Sequence, residues 1–189
     1  HYKFTPGMFN VWMKLLKKVN GSVLWMLEDN IATTKNLKKE AQERGIDSSR
    51  LIFSKRLPLA EHLARHKVAD LFIDTFPYTA HTTCSDSLWS GLPIVTKIGK
   101  SFASRVAASL LNAIDLKELI TCSDGEYEDL AFKLSTNPDQ LKKIKNKLEK
   151  NKLTKPLFNT KLFTKNIETA YTIIQKRHLQ KLPLENIEI

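Results

Sequence analysis

The segment His81–Asp86, with the sequence HTTCSD, places two threonine hydroxyls and a carboxylate just before an apolar run that ends at Gly91. This pattern fits two structures. At a helix N-terminus, unpaired N–H groups bind phosphate, the hydroxyls of Thr82 and Thr83 add donors, and Asp86 accepts from a ribose hydroxyl. The same residues also form a capping box, in which Thr83 is the N-cap and Asp86 reaches back to its backbone N–H. Taken alone, the segment favours the capping box.

Other catalytic patterns are absent from the sequence. No Gly-x-Gly-x-x-Gly follows a predicted strand and no Gly-x-x-x-x-Gly-Lys-Ser/Thr occurs, which argues against a dinucleotide dehydrogenase and a P-loop enzyme. A Gly-x-Ser-x-Gly elbow and a His-Glu-x-x-His zinc motif are also missing. His62 and His66 have the i, i+4 spacing of metal ligands but lack an evident third ligand. We therefore predict no metal site, and a bound diphosphate would be neutralised by helix dipoles and basic side chains.

The composition is that of an ordinary globular protein. The 189 residues are 42% hydrophobic and 26% charged, and no apolar run approaches the roughly 20 residues that span a bilayer. The two cysteines, Cys84 and Cys122, are too few for a disulfide framework or a zinc cluster. We read Cys84 as structural rather than reactive. This cysteine usage predicts a reducing compartment, and hence a cytoplasmic location.

A formal net charge of +10 favours an anionic partner. Much of the excess lies in the stretch Lys142–Lys155, where seven lysines surround the single acid Glu149. Apolar residues at helical spacing in the same stretch predict that the lysines are the solvated face of a packed helix. The alternative function is a basic α/β module that binds nucleic acid or anionic lipid without catalysis. Aromatic residues do not interleave with the lysines, which argues against single-stranded nucleic acid.

Short apolar runs alternate with helix-spaced segments, which predicts an α/β fold with a doubly wound parallel sheet. The domain is expected to cover residues 1–178, with a tail at 179–189. The glycines at 21, 45 and 91 follow helices, where a left-handed cap is expected. The predicted strands are Ser22–Leu27, Leu51–Phe53, Ala69–Asp74, Pro93–Thr96 and, more weakly, Glu118–Ile120.

Helices are predicted between the strands and after the last of them. The side chains expected on their buried faces are Phe9, Trp12, Leu16 and Val19, then Leu37 and Ala41, then Leu59 and Leu63, then Phe102, Val106 and Leu110. Three more helices are predicted at Asp124–Ser135, Pro138–Lys150 and Thr160–His178, the last burying Phe163, Ile167, Ala170 and Ile174. The tryptophans Trp12, Trp25 and Trp89 fall on apolar faces and are expected in the core. Ligands of such sheets bind beyond the carboxyl ends of the strands, where HTTCSD lies.

Several motifs resemble one family. The segment RLIFSKRLPLAEHLARHKVADLFIDTFPYTAHTTCSDSLWSGLPIVT (Arg50–Thr96) is similar to the catalytic core of the O-linked N-acetylglucosamine transferases and their SPINDLY-like relatives. Tyr2–Pro6, Phe102–Leu111, Glu126–Leu134 and Pro156–Tyr171 match in the family's order, so the resemblance covers nearly all of the chain. It implies the Rossmann-like C-terminal lobe of a GT-B glycosyltransferase, which binds UDP-N-acetylglucosamine.

The resemblance also implies roles for individual residues. Thr82 and Thr83 would donate to the diphosphate, and Asp86 would bind ribose. Lys3 would neutralise the leaving diphosphate, which makes it the expected catalytic residue. The remaining positions are His62 against uracil, Arg65 and the backbone of Leu57 at the base, and His81 near the sugar. The family reading thus favours the phosphate site over the capping box, although one helix N-terminus can serve as either.

The family implies inverting transfer to Ser/Thr of proteins without a required metal. The acceptor side would belong to an N-terminal lobe, behind tetratricopeptide repeats, so we expect this chain alone to bind nucleotide weakly and to transfer nothing. Two departures from the family pattern concern the donor. Leu59 stands where a nucleotide-contacting lysine is usual, and Thr79-Ala80 replaces Asn-Gly. The pattern therefore does not decide whether the donor sugar is N-acetylglucosamine, glucose or fucose. The resemblance to SPINDLY-like relatives also retains GDP-sugars as candidate donors.

Overall fold

The computed structural model describes residues 3–189; His1 and Tyr2, which open the predicted domain and the Tyr-Lys pair, lie outside the described residues. Parallel strands with flanking helices confirm the α/β class. The strands are β1 (Leu24–Leu27), β2 (Leu51–Ser54), β3 (Phe72–Ile73), β4 (Ile94–Lys97) and β5 (Ile120–Thr121). The helices are α1 (Pro6–Lys18), α2 (Ile31–Glu43), α3 (Leu59–Arg65), α4 (Thr82–Trp89), α5 (Val106–Ala113), α6 (Asp124–Thr136), α7 (Pro138–Thr154) and α8 (Thr160–Leu179).

The strands form two parallel ladders. In the first, β1 pairs with β2, and Leu24 lies opposite Leu51. In the second, β4 is central, with β3 on one side and β5 on the other. Both residues Ile94 and Val95 of β4 are fully buried, as a strand covered on both faces requires. The carboxyl ends of β3 and β4 therefore lie side by side at one edge.

The third strand is shorter than predicted. The backbone N–H of Ala69 closes a tight turn onto the carbonyl of His66, so the strand begins late. Asp74 still donates its N–H to the carbonyl of Val95, 3.0 Å away, but the chain then turns away from the sheet. The predicted strand Ala69–Asp74 thus contains a two-residue ladder, Phe72–Ile73, between two turns.

The first helix forms much of the core. Thr5 caps it by accepting from the N–H of Met8 at 3.3 Å, and Pro6 occupies its first turn. The indole N–H of Trp12, which is 3% exposed, donates to the buried hydroxyl of Tyr127 on α6 at 3.3 Å. The burial of Trp12 was predicted correctly, as were the positive φ angles at glycines 21, 45 and 91.

Four predicted core positions ahead of the last helix are wrong. Trp25 is 38% exposed and donates through its indole nitrogen to the hydroxyl of Ser54 at 2.8 Å. Trp89 is 53% exposed and packs edge to face with Phe158, with ring centroids 5.1 Å apart. Phe102 is 81% exposed, because it lies in a separate 3-10 turn ahead of α5 rather than on the apolar face of that helix. Leu59, in the first turn of α3, is also exposed at 66%.

The last helix has no buried residue, in contrast to its predicted inward face. Phe163 is 66% exposed and Ile174 is 50% exposed, whereas Ile167 and Ala170 are half-buried. Within residues 3–189, no element covers this helix deeply enough to bury its apolar positions. The helix ends at Leu179, so the predicted boundary of a tail after residue 178 stays a prediction.

The lysine-rich stretch forms the exposed face of α7, as predicted. Leu148 on its opposite face is fully buried, and Asn151 donates to the carbonyl of Ile114 at 2.8 Å. Four of its seven lysines pair with acids of the same chain. These pairs are Lys145–Asp70 (3.9 Å), Lys147–Glu118 (2.8 Å), Lys152–Glu149 (2.8 Å) and Lys155–Asp115 (3.0 Å).

Candidate functional site

The start of α4 lies at the edge where β3 and β4 end. His81 is the N-cap residue, and within the described chain no side chain caps the helix. The carbonyl of His81 accepts from the N–H groups of Cys84 (3.0 Å) and Ser85 (3.1 Å), so the helix begins at Thr82. Thr82 and Thr83 in the first turn are exposed. Their hydroxyls and the positive end of the helix dipole therefore face solvent.

The predicted capping box is wrong. Thr83 lies inside the helix rather than at its N-cap, because the helix starts at Thr82, two residues earlier than a Thr83 cap requires. Asp86 does not reach back toward the helix start. One of its carboxylate oxygens, Oδ2, lies 3.6 Å from Nε2 of His62 on α3. The polar residues at the start of α4 are thus not needed to close the helix.

His62, Arg65 and Asp86 form one cluster between α3 and α4. A guanidinium nitrogen of Arg65 lies 2.8 Å from Nδ1 of His62, and the other terminal nitrogen donates to the carbonyl of Lys55 at 3.0 Å. Partial burial, followed by the nearby His66 and Arg65, lowers the pKa of His62, against the opposing effect of Asp86. The imidazole is therefore neutral at pH 7, and its contact with Asp86 is polar rather than an ion pair.

The loop before α3 completes this side of the site. Leu57 is 41% exposed and lies between β2 and α3, close in sequence to Lys55, whose carbonyl holds Arg65. Arg65 also donates weakly to the hydroxyl of Ser54, 3.4 Å away, at the end of β2. The structure thus brings His62, Arg65 and Asp86 together, and Leu57 lies in the loop that leads into α3.

Lys3 lies on the other side of the α4 start. Its ammonium nitrogen is 4.7 Å from the centroid of the Tyr78 ring, and Tyr78 in turn stacks on His81 with centroids 4.7 Å apart. The edge of Phe102 meets His81 at 6.0 Å. The carbonyl of Ala103 fixes this loop by accepting from the backbone N–H and the hydroxyl of Thr79 at 2.9 and 2.8 Å. The aromatic rings thus link Lys3 to His81, the N-cap of α4.

A buried carboxylate lies beneath the loop. Asp74 is 1% exposed, and its Oδ1 accepts from the N–H groups of Thr75 (2.7 Å) and Ala80 (2.8 Å). Its Oδ2 accepts from the hydroxyl of Thr96 on β4 at 2.6 Å. Burial raises the pKa of Asp74 to about 6, although these three hydrogen bonds and the charge of Lys3 oppose the rise. Asp74 connects the ends of the loop to the sheet.

The site is an open surface rather than a closed pocket. The two most distinct concavities of the described chain lie elsewhere: one of about 260 Å³ is lined by α1 and Arg44, and one of about 240 Å³ lies between Thr5, Phe76 and Lys97. Neither includes the cluster of His62 and Asp86.

No group of three or more His, Cys, Asp or Glu side chains in residues 3–189 is arranged to hold a metal ion. The rings of His62 and His66 do lie 4.6 Å apart, edge to face, but Nδ1 of His66 bonds to the carbonyl of His62 at 2.7 Å. Cys84 is buried, and burial strongly raises the pKa of its thiol. That thiol is therefore protonated, as expected of a structural cysteine.

Sequence reasoning did not single out three residues of this region. The apolar pattern marks Asp74 only as the end of a strand, yet an acid at the carboxyl end of a buried strand is itself a signal. No sequence pattern points to Tyr78. The helical spacing places Phe102 on an apolar face, and only its position between a serine and a small residue indicates a turn.

Within the described part of the chain, no helix is long and apolar enough to cross a bilayer.

The comparisons identify the family. A model of "Glycosyl transferase family 41" matches residues 1–167. The chain is 34% identical over 186 residues to the "UDP-N-acetylglucosamine--peptide N-acetylglucosaminyltransferase" of Caenorhabditis elegans, covering 98% of this chain and 16% of that protein. It is 36% identical over 171 residues to the "Probable UDP-N-acetylglucosamine--peptide N-acetylglucosaminyltransferase SEC" of Arabidopsis thaliana, covering 90% and 18%.

A solved structure agrees. A mutant O-GlcNAc transferase of Thermobaculum terrenum superposes with a TM-score of 0.84 at 28% identity, covering 89% of this chain and 33% of that one. The chain thus spans about a sixth to a third of the length of these relatives. The match along nearly the whole chain confirms the resemblance noted in the sequence, and the chain belongs to glycosyl transferase family 41.

Proposed function

We propose that this chain is the donor-binding lobe of a glycosyltransferase that transfers N-acetylglucosamine from UDP-N-acetylglucosamine to Ser/Thr hydroxyls of proteins. The observation that carries the proposal is the uncapped, exposed start of α4 between Lys3 on one side and the cluster of His62 and Asp86 on the other. An uncapped helix start offers donors to a diphosphate, and family membership supplies the reaction class.

Each residue has a stated task in this proposal. The hydroxyls of Thr82 and Thr83 and the helix dipole bind the diphosphate, and Asp86 accepts from a ribose hydroxyl. The neutral ring of His62 lies against the uracil, with Arg65 and the backbone of Leu57 at the base edge. His81 borders the sugar. A neutral imidazole suits the base, because it stacks without adding a charge to a desolvated ring.

In the transfer, the acceptor oxygen bonds to the anomeric carbon as the bond from that carbon to the diphosphate oxygen breaks, which inverts the configuration. The hydroxyl proton leaves to a base outside this lobe, and UDP departs with the electron pair of the broken bond. Lys3 and the start of α4 stabilise the charge that develops on the diphosphate, so the reaction proceeds without a metal. Electrostatic stabilisation of this kind is usually the largest catalytic contribution.

The acceptor-side groups belong to other parts of the protein in this proposal. The relatives are three to six times longer than the matched region, which leaves room for an N-terminal lobe and tetratricopeptide repeats. The isolated chain is therefore proposed to bind nucleotide weakly and to transfer nothing. The free thiols of Cys84 and Cys122 support a cytoplasmic location for the protein.

Calorimetric titration of the chain with UDP, GDP and ATP at two salt concentrations tests the proposal. We expect UDP-selective binding that is lost in the double variant Thr82→Ala/Thr83→Ala. Thr172→Ala is the matched control, because Thr172 is an exposed helix residue whose hydroxyl bonds only within α8. Binding of equal strength to all three nucleotides, or binding that survives in the double variant, would place the donor site elsewhere. GDP selectivity would change the donor to a GDP-sugar.

A further inference from the structure

We propose that Asp74 is a positioning residue of the donor site, and that binding of the nucleotide-sugar diphosphate is coupled to uptake of a proton by its buried carboxylate. The positioning part stands on the geometry of this chain alone. The coupling part rests on the proposed function, because it requires a diphosphate at the start of α4.

The hydrogen bonds of Asp74 close the loop that carries the site. One oxygen, Oδ1, accepts from both Thr75 and Ala80, so the first and last N–H groups of the loop 75–80 meet at a single atom. Ala80 directly precedes His81, the N-cap of α4. The other oxygen is held by Thr96 on the central strand β4 at 2.6 Å. The position of the helix start relative to the sheet is therefore set through this carboxylate.

The surroundings of Asp74 leave its charge weakly compensated. The titratable groups that face it are Lys3 from the N-terminal segment, Cys84 from α4 and Tyr127 from α6. Burial strongly raises the pKa of both Cys84 and Tyr127, so these two groups are neutral. The hydroxyl of Tyr127 is committed to the backbone carbonyl of Asp74 at 2.9 Å rather than to its carboxylate. Of the described groups, Lys3 supplies the opposing positive charge.

A bound diphosphate changes this balance. Its negative charges lie at the same helix start and attract Lys3, so they disfavour a second negative charge beneath the loop. A proton from solvent can then bind to Oδ2. Thr96, which now donates to that atom, accepts from the new O–H instead, because a hydroxyl can do either. The bonds from Thr75 and Ala80 to Oδ1 persist, so the loop keeps its position while the buried charge disappears.

The coupling predicts a pH dependence of a particular sign. Affinity for UDP-N-acetylglucosamine should rise as the pH falls from 8 to 5.5, by up to about tenfold for each unit by which the ligand raises the pKa of Asp74. A nucleotide sugar is the correct probe. Free UDP carries a terminal phosphate that itself titrates near pH 6, as phosphate monoesters do, and would obscure the effect.

The decisive variant is Asp74→Asn, which keeps an acceptor for Thr75 and Ala80 and removes the charge. Calorimetry at several pH values, in two buffers of different ionisation enthalpy, should show proton uptake on binding by the unchanged chain and less uptake by the variant. The variant should bind at pH 8 at least as tightly as the unchanged chain. All other titratable groups are common to both proteins, so the difference between the two isolates Asp74.

Two further variants sharpen the test. Asp70→Asn is the matched control, because Asp70 is a nearby acid whose side chain is 91% exposed. It should leave proton uptake unchanged. Thr96→Val removes the donor to Oδ2 and should move the pH midpoint of binding upward. Weaker binding by Asp74→Asn at pH 8, or proton uptake equal to that of the unchanged chain, would overturn the coupling.

Hydrogen exchange without nucleotide tests the positioning part separately. The N–H groups of Thr75 and Ala80 should exchange faster in Asp74→Ala and stay protected in Asp74→Asn, while α7 and α8 are unaffected. Unchanged protection of Ala80 in Asp74→Ala would contradict the positioning role. A different result is that the loop loosens as expected in Asp74→Ala but neither the unchanged chain nor any variant binds nucleotide sugar. In that case the proposed function and the coupling are wrong, and the positioning role stands.

Discussion

Nε2 of His62 on α3 lies 3.6 Å from a carboxylate oxygen of Asp86 in the second turn of α4. The two helices approach each other at the carboxyl ends of β2 and β3, so the ring proposed to stack on the base and the carboxylate proposed to bind ribose lie at one surface. Because the pKa of His62 is lowered by burial and by His66 and Arg65, the pair is not held together by charge. Its members are thus free to exchange their mutual contact for contacts with a nucleoside.

The first prediction concerns this pair. Replacing His62 by alanine removes a stacking surface of the kind that contributes about 1–3 kcal/mol per base, so UDP affinity should fall roughly 5- to 150-fold. Replacing His62 by phenylalanine should retain most of the affinity, because the flat ring remains. Calorimetric titration with UDP measures both. Equal losses in the two variants would contradict stacking and point to a hydrogen bond from the imidazole.

Asp86→Ala separates ligand binding from helix capping. The variant should lose UDP affinity, whereas its unfolding free energy should change little, because Asp86 makes no capping hydrogen bond to the start of α4. A capping role would cost about 1 kcal/mol of stability. Urea denaturation measures this quantity without nucleotide. Asn30→Ala is the positive control, since Asn30 does cap its helix by accepting from the N–H of Thr33 at 2.8 Å.

The second prediction is a stability effect at Asp74. The pKa of this acid is about 6 in the folded chain and 3.8 as its ordinary value, so the folded state binds more protons between these two pH values. Stability therefore falls as the pH rises through this window, by about 3 kcal/mol in total, and the penalty is fully present above pH 7. In Asp74→Asn this penalty is absent.

Urea denaturation at pH 4 and pH 7.5 checks the sign. Relative to the unchanged chain, Asp74→Asn should gain about 2.5 kcal/mol of stability between the two pH values. Asp70→Asn, at an exposed acid, should show almost no such relative change. A relative loss of stability by Asp74→Asn on going to pH 7.5 would mean that the carboxylate is better stabilised in the folded state than its burial suggests.

The third prediction links Lys3 to Asp74. The positive charge of Lys3 opposes the rise in the pKa of Asp74, so Lys3→Met should move that pKa further above its usual range. Carbon-detected NMR titration of the Asp74 carboxyl measures the shift. Lys14→Met on α1 is a suitable control, because Lys14 pairs with Glu128 at 3.8 Å on another surface. An unchanged titration of Asp74 in Lys3→Met would show that Lys3 lies too far away to act on this site.

Several features of the fold and the site follow from local patterns. The alternation of apolar runs with helix-spaced segments predicted all five parallel strands, and the segment His81–Asp86 predicted a helix start at the edge of the sheet. The approximate place of each element depends on nearby residues: strand formation on the apolar run itself, and helix initiation on the residues of the first turn. Such features can therefore be predicted from a single sequence.

Other features depend on distant parts of the chain. The burial of Asp74 requires Thr96 and Tyr127, which are 22 and 53 residues away in the sequence. No local sequence pattern predicts these two contacts. Periodicity shows that a face is apolar but not what covers it. For this reason the predicted inward face of α8 is exposed at Phe163 and Ile174, and Trp89 lies at the surface. The predicted capping box does not form, because the carboxylate of Asp86 contacts His62 on α3 instead.

The fourth prediction tests the alternative of a basic binding module. Four of the seven lysines along α7 and its end pair with acids of the same chain, which leaves Lys142, Lys143 and Lys150 without such a pair among the ion pairs found in the described residues. Three clustered charges release few counterions, so we expect weak binding to RNA or anionic vesicles that disappears near physiological salt.

Reversing Lys142, Lys143 and Lys145 to glutamate should leave UDP binding intact, because the proposed donor site lies at α3 and α4. Calorimetry with UDP and filter binding with RNA distinguish the two functions. Tight RNA binding that this triple variant abolishes, together with no response to UDP, would make the module the correct function and the start of α4 an ordinary uncapped helix.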